Sequence, residues 1–462
     1  MQKTKQNIST VSFIRALIVI FTLMAFTYGL TFVIPSGEYV RSVDALGNLV
    51  IDPSLSFTFV DGHISFFNWL LSPLLVLFSE GSFSIIAVIL FLLIIGGIFN
   101  CLDVCGLMRY MLDSITIKFQ NKRYLLLAMI TLFFMALGSL VGSFEECVPL
   151  VPIVVMIAIR FGWDKITGLG MSLLAVGCGF ACGVCNPFTV GVAQQLANLP
   201  MFSGMGYRLF AFVIIYLVLL LFLYSHSKKV EQNIQNVSFS FKPEKHMQKA
   251  LYAFTSILCI GILCVILSAF IPALQDITMI IVAITFLVAG LTATILAKMS
   301  NKDILHHFTS GVINMLPAIL MILMANSIKY TLIEAQILDT LLYYAMQIAN
   351  TLPKYTIILF IYLIVLIMNF FIPSGSAKAF LLIPLIVPVA QVFGISTQLC
   401  IMAFAFGDGF SKIFYPTNPV LLISLGVAEL DYFSWIKWSW KFQLLNILIT
   451  SGLLLLGMVI GY

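Results

Sequence analysis

The sequence GDGFSKIFYPTNP, residues 407–419, interrupts one apolar stretch of the chain, and GCGFACGVCNP, residues 177–187, interrupts another. Each combines glycines, which let backbones approach closely, with an Asn-Pro pair that cannot continue a helix from the residues before it. We therefore predict two helices, each of which breaks just before its Asn-Pro pair. A bilayer tolerates the unpaired backbone groups of such a break only where protein or water covers them.

The composition is that of a membrane protein. Of 462 residues, 61% are hydrophobic and 9% are charged, and the mean hydropathy is +1.09, whereas soluble domains carry about 25% charged residues. We predict an all-α polytopic membrane protein with spans of about 20 apolar residues. The first apolar stretch exceeds the hydrophobic region of a signal peptide, so we expect a retained span. The candidate spans are 11–34, 83–102, 123–141, 166–198, 205–224, 250–271, 277–298, 312–334, 355–372, 396–428 and 442–461.

The charges of the loops predict an orientation. Lysine and arginine cluster at the N-terminus and in the segments 103–123, 225–249 and 298–307, which the positive-inside rule assigns to the cytoplasm. The segment 35–65 is acidic and is predicted to be external. We therefore expect a multi-pass protein of the plasma (inner) membrane with a cytoplasmic N-terminus. The net charge of +5 lies mainly in loops and gives no reason to expect a nucleic acid partner.

An internal repeat relates the two interrupted stretches. A shift of 232 residues places one Asn-Pro pair on the other and matches further Gly and Pro landmarks without a gap. The matched positions include Leu150 and Leu382, Pro152 and Pro384, Phe161-Gly162 and Phe393-Gly394, and Gly177 and Gly409. Apolar composition alone does not readily give such paired landmarks, so we predict a duplication.

The duplication predicts two repeats joined by a polar linker. The first repeat would be 1–224, with the N-terminal span, a re-entrant hairpin at 142–160 and a broken helix at 166–198; the cytoplasmic linker 225–249; and the second repeat 250–462, with a hairpin at 374–393 and a broken helix at 396–428. The segments 66–79 and 337–350 are too short to assign. The span count therefore leaves open whether the repeats are inverted or parallel.

Broken helices at matched positions are the sequence sign of a transporter's binding site. Their N-termini offer positive dipole ends to an anionic group, and freed carbonyl groups coordinate a cation. In the first repeat the candidates are Ser143, Glu145, Glu146, Asn186 and Thr189. A charge at mid-bilayer costs about 2.5–3.5 kcal/mol. The two glutamates therefore either hold a cation, a proton or a substrate amine, or lie solvated at a hairpin tip that reaches the interface.

The second repeat offers a different set of polar residues at the equivalent places. The candidates are Ser374, Gly375, Ser376, Lys378, Asp408, Ser411, Lys412, Thr417 and Asn418. Two hydroxyl groups, a glycine and Lys378 suit a carboxylate; the alternative is a small-residue helix contact with the lysine extended to the surface. Asp408, between two glycines, either holds a cation or pairs with Lys412 four residues later.

Other functional classes lack their residues in this sequence. The cysteines of residues 177–187 have the spacing C-x3-C-x2-C without a partner pair or a nearby histidine, so we predict no metal site there. We find no nucleophile with its base and no Walker A motif, which disfavours a membrane enzyme and a primary pump. A channel is the remaining alternative, although paired broken helices fit alternating access better. No cofactor is expected, and Na+ near Asn186 and Asp408, or a proton, is the candidate coupling ion.

The residues around the breaks also resemble a known family. NPFTVGVAQ (186–194), LPMFSG (199–204), GDGFS (407–411) and IPSGS (372–376) resemble the YfcC-like branch of the C4-dicarboxylate anaerobic carrier family, and the similarity covers nearly the whole chain. This implies the ion transporter superfamily, in which two inverted repeats each carry a re-entrant hairpin and an interrupted helix. It also adds Gln194 to the candidate binding residues.

The resemblance implies a secondary transporter or exchanger of a small carboxylate-bearing solute in the lipid bilayer. The YfcC-like branch is usually labelled a basic amino acid antiporter, so an amino acid is the first expectation and a C4-dicarboxylate the alternative. The family commonly has Gln at the position of Lys378 and Asn at that of Lys412. Two added cations weaken the case for a cationic substrate, whereas Glu145 and Glu146 favour one. A homodimer is one of the assemblies that the sequence leaves open.

Overall fold

The computed structural model describes residues 10–43, 49–51, 57–79, 82–119, 121–142, 144–231, 244–268 and 278–462. Most of this part of the chain is helical, and nine of the described helices are long and apolar enough to cross a membrane. The prediction of a multi-pass helical membrane protein is therefore confirmed. The described strands form two short antiparallel ribbons, in which Gly37–Tyr39 pairs with Phe57–Phe59 and Arg41–Val43 with Leu49–Ile51.

The described helices fall on either side of residues 232–243. The α-helices before this segment are Thr10–Leu30, Phe66–Leu75, Ser82–Val104, Leu107–Phe119, Arg123–Ala136, Val151–Arg160, Lys165–Leu169, Ala175–Cys182, Val192–Leu196 and Met205–Val230. Shorter 3-10 and π-helical turns are Val76–Phe78, Leu137–Val141, Glu145–Leu150, Gly170–Leu174 and Pro187–Gly191. The α-helices after the segment are Lys245–Ser268, Thr278–Leu296, Asn301–Glu334, Leu338–Ala349, Lys354–Phe371, Gly375–Val392, Thr397–Lys412, Pro419–Val427 and Tyr432–Ile460.

Helices extend into two segments for which the sequence predicts loops. Leu107–Phe119 is a helix inside the predicted loop 103–123; its apolar residues are buried on one side while Arg109 is exposed on the other. An amphipathic surface helix carries its charged residues on the solvent side. In the sequence these charges are easily mistaken for those of a loop. Helices also occupy both ends of the predicted linker 225–249, whose residues 232–243 lie outside the described part. The two short unassigned segments are helical as well.

Each predicted hairpin segment is one arm of a longer helical hairpin. Hairpin 1 comprises residues 123–160 and turns at Gly142, and hairpin 2 comprises residues 354–392 and turns at 372–374. The segment 374–393 is therefore not broken internally, although it contains Pro384 and Pro388. Membrane helices tolerate proline because neighbouring groups satisfy the freed backbone, so these prolines do not mark the turn.

Both expected helix interruptions are present. Broken helix 1 (residues 165–196) stops at Cys182, where Gly183 adopts a left-handed conformation with φ of +49°, and resumes at Pro187. Broken helix 2 (residues 397–427) stops at Lys412 and resumes at Pro419. In each case an Asn-Pro pair starts the second half of the helix.

Small residues allow the broken helices to pack closely. A Cβ on Gly179 would overlap the backbone carbonyl of Met135 in hairpin 1, and a Cβ on Gly409 would overlap the backbone of Ala181. The Gly- and Cys-rich composition of broken helix 1 thus serves close backbone approach. Among the described residues, no group of three His, Cys, Asp or Glu side chains is arranged to hold a metal.

The two strand ribbons are attached to a helix far along the chain. The backbone N–H of Tyr39 donates a hydrogen bond of 2.9 Å to Asp339, and Arg41 forms a 2.8 Å ion pair with the same carboxylate. Ser36 also donates to the backbone carbonyl of Ala335 at 2.7 Å. These contacts fix residues 36–41, in the predicted external segment, to the region where Leu338–Ala349 begins.

Candidate functional site

A buried ion pair joins hairpin 2 to broken helix 2. The ammonium group of Lys378 lies 2.6 Å from Oδ1 of Asp408, and both side chains are fully buried. Lys378 is in the first turn of its helix and Asp408 is one turn before the break. Because an isolated charge in this position would be costly, the pairing explains how both are tolerated. Lys378 therefore does not extend to the surface.

Three oxygen atoms surround the ammonium group of Lys378. Besides Asp408, it donates to the side-chain oxygen of Asn369 and, at 3.3 Å, to the backbone carbonyl of Ile372. The first arm of hairpin 2 ends here, which frees that carbonyl for the contact. Asn369 in turn donates to Oγ of Ser411 at 2.6 Å. An ammonium group has three N–H donors, so these acceptors match it fully.

Lys412 is the second cation of this site, and it faces a cavity. Its ammonium group lies 4.0 Å from Oδ2 of Asp408 and 4.3 Å from the ring centre of Phe180. The expected ion pair between Lys412 and Asp408 is therefore longer than the pair between Lys378 and Asp408. Phe180 belongs to broken helix 1, so the cation–π contact connects the two broken helices. Two ammonium groups share one carboxylate, which leaves one positive charge in excess.

The turns of both hairpins contact the helix breaks. A Cβ on Gly375 would lie 2.6 Å from Oδ2 of Asp408 and would overlap the side chain of Thr189. Gly142 has φ of +76°, and a Cβ there would overlap the side chain of Asn186. Glycine is the residue that permits both approaches. The turns and the breaks of both halves of the chain therefore meet in one place.

Three helices begin at this meeting place. The Asn186 side chain accepts hydrogen bonds from two backbone N–H groups of the turn that follows, and the side chains of Asn418 and Ser374 accept one each. Asn and Ser are preferred helix caps, and proline suits the first helical position. The Asn-Pro pairs therefore specify helix starts, and three positive dipole ends converge.

Arg208 holds the first break in shape. This fully buried side chain donates hydrogen bonds to the backbone carbonyl groups of Gly183 at 3.1 Å and Val184 at 3.2 Å. It also donates to the carbonyl of Ser203 at 2.9 Å and to the hydroxyl of Tyr462 at 3.2 Å. Carbonyl groups freed by the break are thereby satisfied, and the cation lies where the helix dipole is negative.

Buried polar atoms without a hydrogen-bond partner lie beside the helix starts. Among the described residues they include Nδ2 of Asn186, Oγ1 of Thr189, Oδ2 of Asp408 and Oγ1 of Thr417. Such a group costs about 1–3 kcal/mol when it is left unsatisfied. Several of them in one place indicate a site that a ligand, an ion or water would satisfy.

A cavity of about 1190 Å³ adjoins these groups and is large enough for a small solute. Both hairpins, both broken helices and the helices Phe66–Leu75, Ser82–Val104 and Asn301–Glu334 form its wall. The charged residues of the wall are Glu145, Lys329, Glu334 and Lys412. The wall thus carries equal numbers of acidic and basic side chains.

The structure brings together most of the residues that the sequence predicts for the site. Those that line the cavity are Glu145, Thr189, Ser374, Gly375, Ser376, Lys412 and Asn418. Those that are buried without lining it are Asn186, Lys378, Asp408, Ser411 and Thr417. Ser143 and the side chain of Glu146 lie outside the described part of the structure. Lys378 and Asp408 thus lie behind the residues that line the cavity.

Gln194 has a different place from the one the resemblance implies. Its side chain accepts a hydrogen bond from the backbone N–H of Phe202 and donates to the carbonyl of Ser203 at 2.8 Å and to Gln398 at 3.2 Å. It therefore holds the loop after broken helix 1 and does not line the cavity. An amide can make these contacts because it both donates and accepts.

Several residues of the site are not among the sequence candidates, and Asn369, Lys329 and Phe180 are examples. Asn369 is the one asparagine of the helix Lys354–Phe371 and stands in its apolar C-terminal part, which is the signal that the sequence offers. Lys329, near the end of a long span, has the pattern of an interfacial anchor, yet it lines the cavity. Phe180 gives no signal in a sequence with 40 phenylalanines, because only the tertiary structure brings Lys412 over its ring.

Comparison with known proteins finds similar chains in bacteria. The chain is 28% identical over 404 residues to YfcC of Escherichia coli (strain K12), whose name gives it provisionally as a basic amino acid antiporter, and the match covers 82% of this chain and 78% of YfcC. It is 22% identical over 481 residues to an uncharacterized protein of Haemophilus influenzae (strain ATCC 51907 / DSM 11121 / KW20 / Rd), with 93% of each chain covered. The crystal structure of the Alcanivorax borkumensis YdaH transporter aligns over 98% of each chain at 16% identity, with a TM-score of 0.45.

A family model gives the wider assignment. The model of the C4-dicarboxylate anaerobic carrier matches residues 13–460. This range includes both hairpins, both broken helices and every residue that lines the cavity. The chain therefore belongs to the C4-dicarboxylate anaerobic carrier (DcuC) family.

Proposed function

We propose that the protein is a secondary transporter of a small solute that bears a carboxylate group. The observation that carries the proposal is the meeting of two hairpin turns and two helix breaks beside one polar cavity. Irregular backbone at membrane depth is tolerated where it lines such a cavity, and carriers use it to bind substrate near the bilayer midplane. Membership of a carrier family supports the same function.

We propose that the two halves of the chain are repeats in which each hairpin is re-entrant. Tyr124 lies at the start of hairpin 1 and Trp163 lies just after its end, and their ring centres are 6.0 Å apart. Lys354 begins hairpin 2, and its ammonium group lies 3.4 Å from the position of a Cβ on Gly394, just after the hairpin ends. Each hairpin therefore returns to the place where it starts, which supports a re-entrant arrangement.

An inverted relation between the repeats is part of the proposal. The shift of 232 residues places Leu107–Phe119 on Leu338–Ala349. The first helix lies between predicted cytoplasmic charges, and its Asp113 pairs with Arg160 at the end of hairpin 1. The second contacts the predicted external ribbon through Asp339. Matched helices on opposite sides support inversion, with the N-terminus in the cytoplasm and the chain in the plasma membrane.

The substrate carboxylate would bind at the deep end of the cavity. Lys412 faces the cavity, and the excess positive charge that it shares with Lys378 and Asp408 favours an anionic group. The helix starts at Ser374 and Asn418 present backbone N–H groups and positive dipole ends to the same space. A charge-assisted hydrogen bond from an ammonium to a carboxylate is about twice as strong as a neutral one.

An amino acid fits the remaining charges of the wall. Glu145 lines the cavity and offers a partner for an amino group, and the balanced wall suits a zwitterion. A C4-dicarboxylate is the second candidate, because Lys329 offers a further cation for a second carboxylate. The family's description favours this alternative, whereas the name of YfcC favours the first.

Uptake by purified protein in proteoliposomes tests the function and separates the substrates. The panel is labelled arginine, ornithine, aspartate and succinate, with empty liposomes as the control. We expect saturable uptake and counterflow of at least one amino acid, and no uptake of succinate. Succinate counterflow without amino acid uptake would favour the dicarboxylate alternative. Flux that neither saturates nor shows counterflow would indicate a channel and overturn the proposal.

A further inference from the structure

The surroundings of the Lys378 ammonium group have the chemistry of a site for a small cation. Its three contacts are a carboxylate oxygen of Asp408, the amide oxygen of Asn369 and the backbone carbonyl of Ile372, all from the protein interior. Hard cations take oxygen ligands of these three kinds. Freed carbonyl groups at the ends of interrupted helices coordinate coupling cations in transporters.

Lys378 itself fills this position and is separate from the substrate. Its side chain is fully buried and does not line the cavity, in contrast to Lys412. The second carboxylate oxygen of Asp408 faces Lys412 and Gly375 rather than Lys378. The ammonium group is thus fixed between hairpin 2 and broken helix 2, where it carries one positive charge on a covalent tether.

We propose that the ammonium group of Lys378 is a built-in cation that occupies a site for a monovalent metal ion of the Na+ class. The inference rests on the proposed function, because it concerns the coupling ion of that carrier. A tethered cation cannot leave with the substrate. Na+ therefore has no binding step at Asp408, and this half of the site does not couple transport to a sodium gradient.

Removal of the tethered charge should convert the position into a Na+ site. In Lys378→Met the apolar side chain leaves the Asp408 carboxylate and the two other oxygen atoms facing the space that the ammonium filled. A ligand that binds the folded state raises the melting temperature by mass action. We expect the Tm of this variant to rise by roughly 2 °C or more when NaCl replaces choline chloride at equal ionic strength.

The matched control is the double variant Lys378→Met/Asp408→Asn, which removes the charge that would hold the ion. We expect its NaCl response to be no larger than that of the wild type. If Lys378→Met is not monodisperse in either salt, Lys378→Gln takes its place in the comparison. If NaCl raises the Tm of Lys378→Met no more than it raises that of the wild type, the proposal is overturned. The measurement uses no substrate, so it can fail while the transport assay succeeds, and the reverse.

Discussion

Lys412 and Phe180 occupy equivalent positions in the two halves of the chain, and they touch each other. The shift of 232 residues that relates the Asn-Pro pairs also places Phe180 on Lys412, and the ammonium lies 4.3 Å from the ring centre. One half thus supplies a charge and the other a neutral surface that orients it. If the proposed duplication is correct, two matched positions have complementary roles at one shared site.

Loss of the Lys412 charge should weaken substrate binding. A hydrogen bond to a charged group contributes about 1.5–3 kcal/mol, so we expect Lys412→Met to raise KM about 10- to 150-fold while Tm stays near that of the wild type. Transport kinetics in proteoliposomes measure this for whichever solute the uptake panel identifies. The matched control is Lys441→Met, which removes an exposed lysine 5.8 Å from the ring centre of Trp440. An unchanged KM in Lys412→Met would contradict the assigned role.

The buried pair of Lys378 and Asp408 should show strong coupling in a double-mutant cycle. Removal of one partner leaves an uncompensated buried charge and costs about 3–5 kcal/mol. We therefore expect Lys378→Met and Asp408→Asn each to lower Tm in choline chloride, and the double variant to lose less than the sum of the two. Thermal unfolding in detergent measures the cycle. Strict additivity would mean that the two side chains do not interact in the membrane protein.

A methyl group at the turn of hairpin 2 should block function more than folding. In Gly375→Ala the Cβ would lie 2.6 Å from Oδ2 of Asp408 and would overlap Thr189, so the turn has to move away from the break. We expect transport to fall at least about tenfold, which corresponds to about 1.4 kcal/mol. The control is Gly206→Ala, at a helical glycine with open space around it. Equal transport activity of Gly375→Ala and Gly206→Ala would contradict the prediction.

Arg208 should be required for stability rather than for substrate binding. Its loss removes the side-chain donors of the carbonyl groups of Gly183 and Val184, at about 1–3 kcal/mol each. We expect Arg208→Met to lower Tm markedly, and Arg208→Lys to recover only part of the loss because one ammonium lacks the planar set of donors. The exposed Arg109→Met serves as the control. Full stability of Arg208→Met would show that water can replace the guanidinium.

Asp164 should make the protein sensitive to acid. Burial raises the pKa of Asp164, but hydrogen bonds from His226 and Thr167 lower it by more, so the pKa lies below its usual range. A lowered carboxyl pKa stabilises the folded state above about pH 4, and this stabilisation is lost as the pH falls through the folded-state pKa. We expect Tm of the wild type to exceed that of Asp164→Asn at neutral pH. A difference that does not shrink as the pH falls below about 4 would be inconsistent with this linkage.

The sequence predicts the fold well where a local signal exists. Apolar length identifies most of the long helices among the described residues, and the Asn-Pro pairs identify both helix restarts because Asn186 and Asn418 cap the next turn. The bounds of the hairpins differ, since the predicted hairpin segment 374–393 is a single helix that contains Pro384. Leu107–Phe119 is missed because its exposed charges resemble those of a loop.

The site is predictable in its members but not in its contacts. Asp408 and Lys412 stand four residues apart, which suggests a pair, yet the closer partner is Lys378 from another helix. The spacing of residues indicates which side chains of one helix lie close together. It does not indicate which side chain of another helix packs against them. For the same reason Gln194 is indistinguishable in sequence from a ligand, although its partners are Phe202, Ser203 and Gln398.

The attachment of the strand ribbons to Asp339 has a consequence for biogenesis. Tyr39 and its partner are separated by 300 residues, and ribosomes add about 5–20 residues per second. The ribbons are therefore made about 15–60 s before the helix that completes them. During that interval the insertion machinery or a chaperone has to protect their open edges. Truncation of the nascent chain before Asp339 should therefore leave the ribbons accessible to proteases.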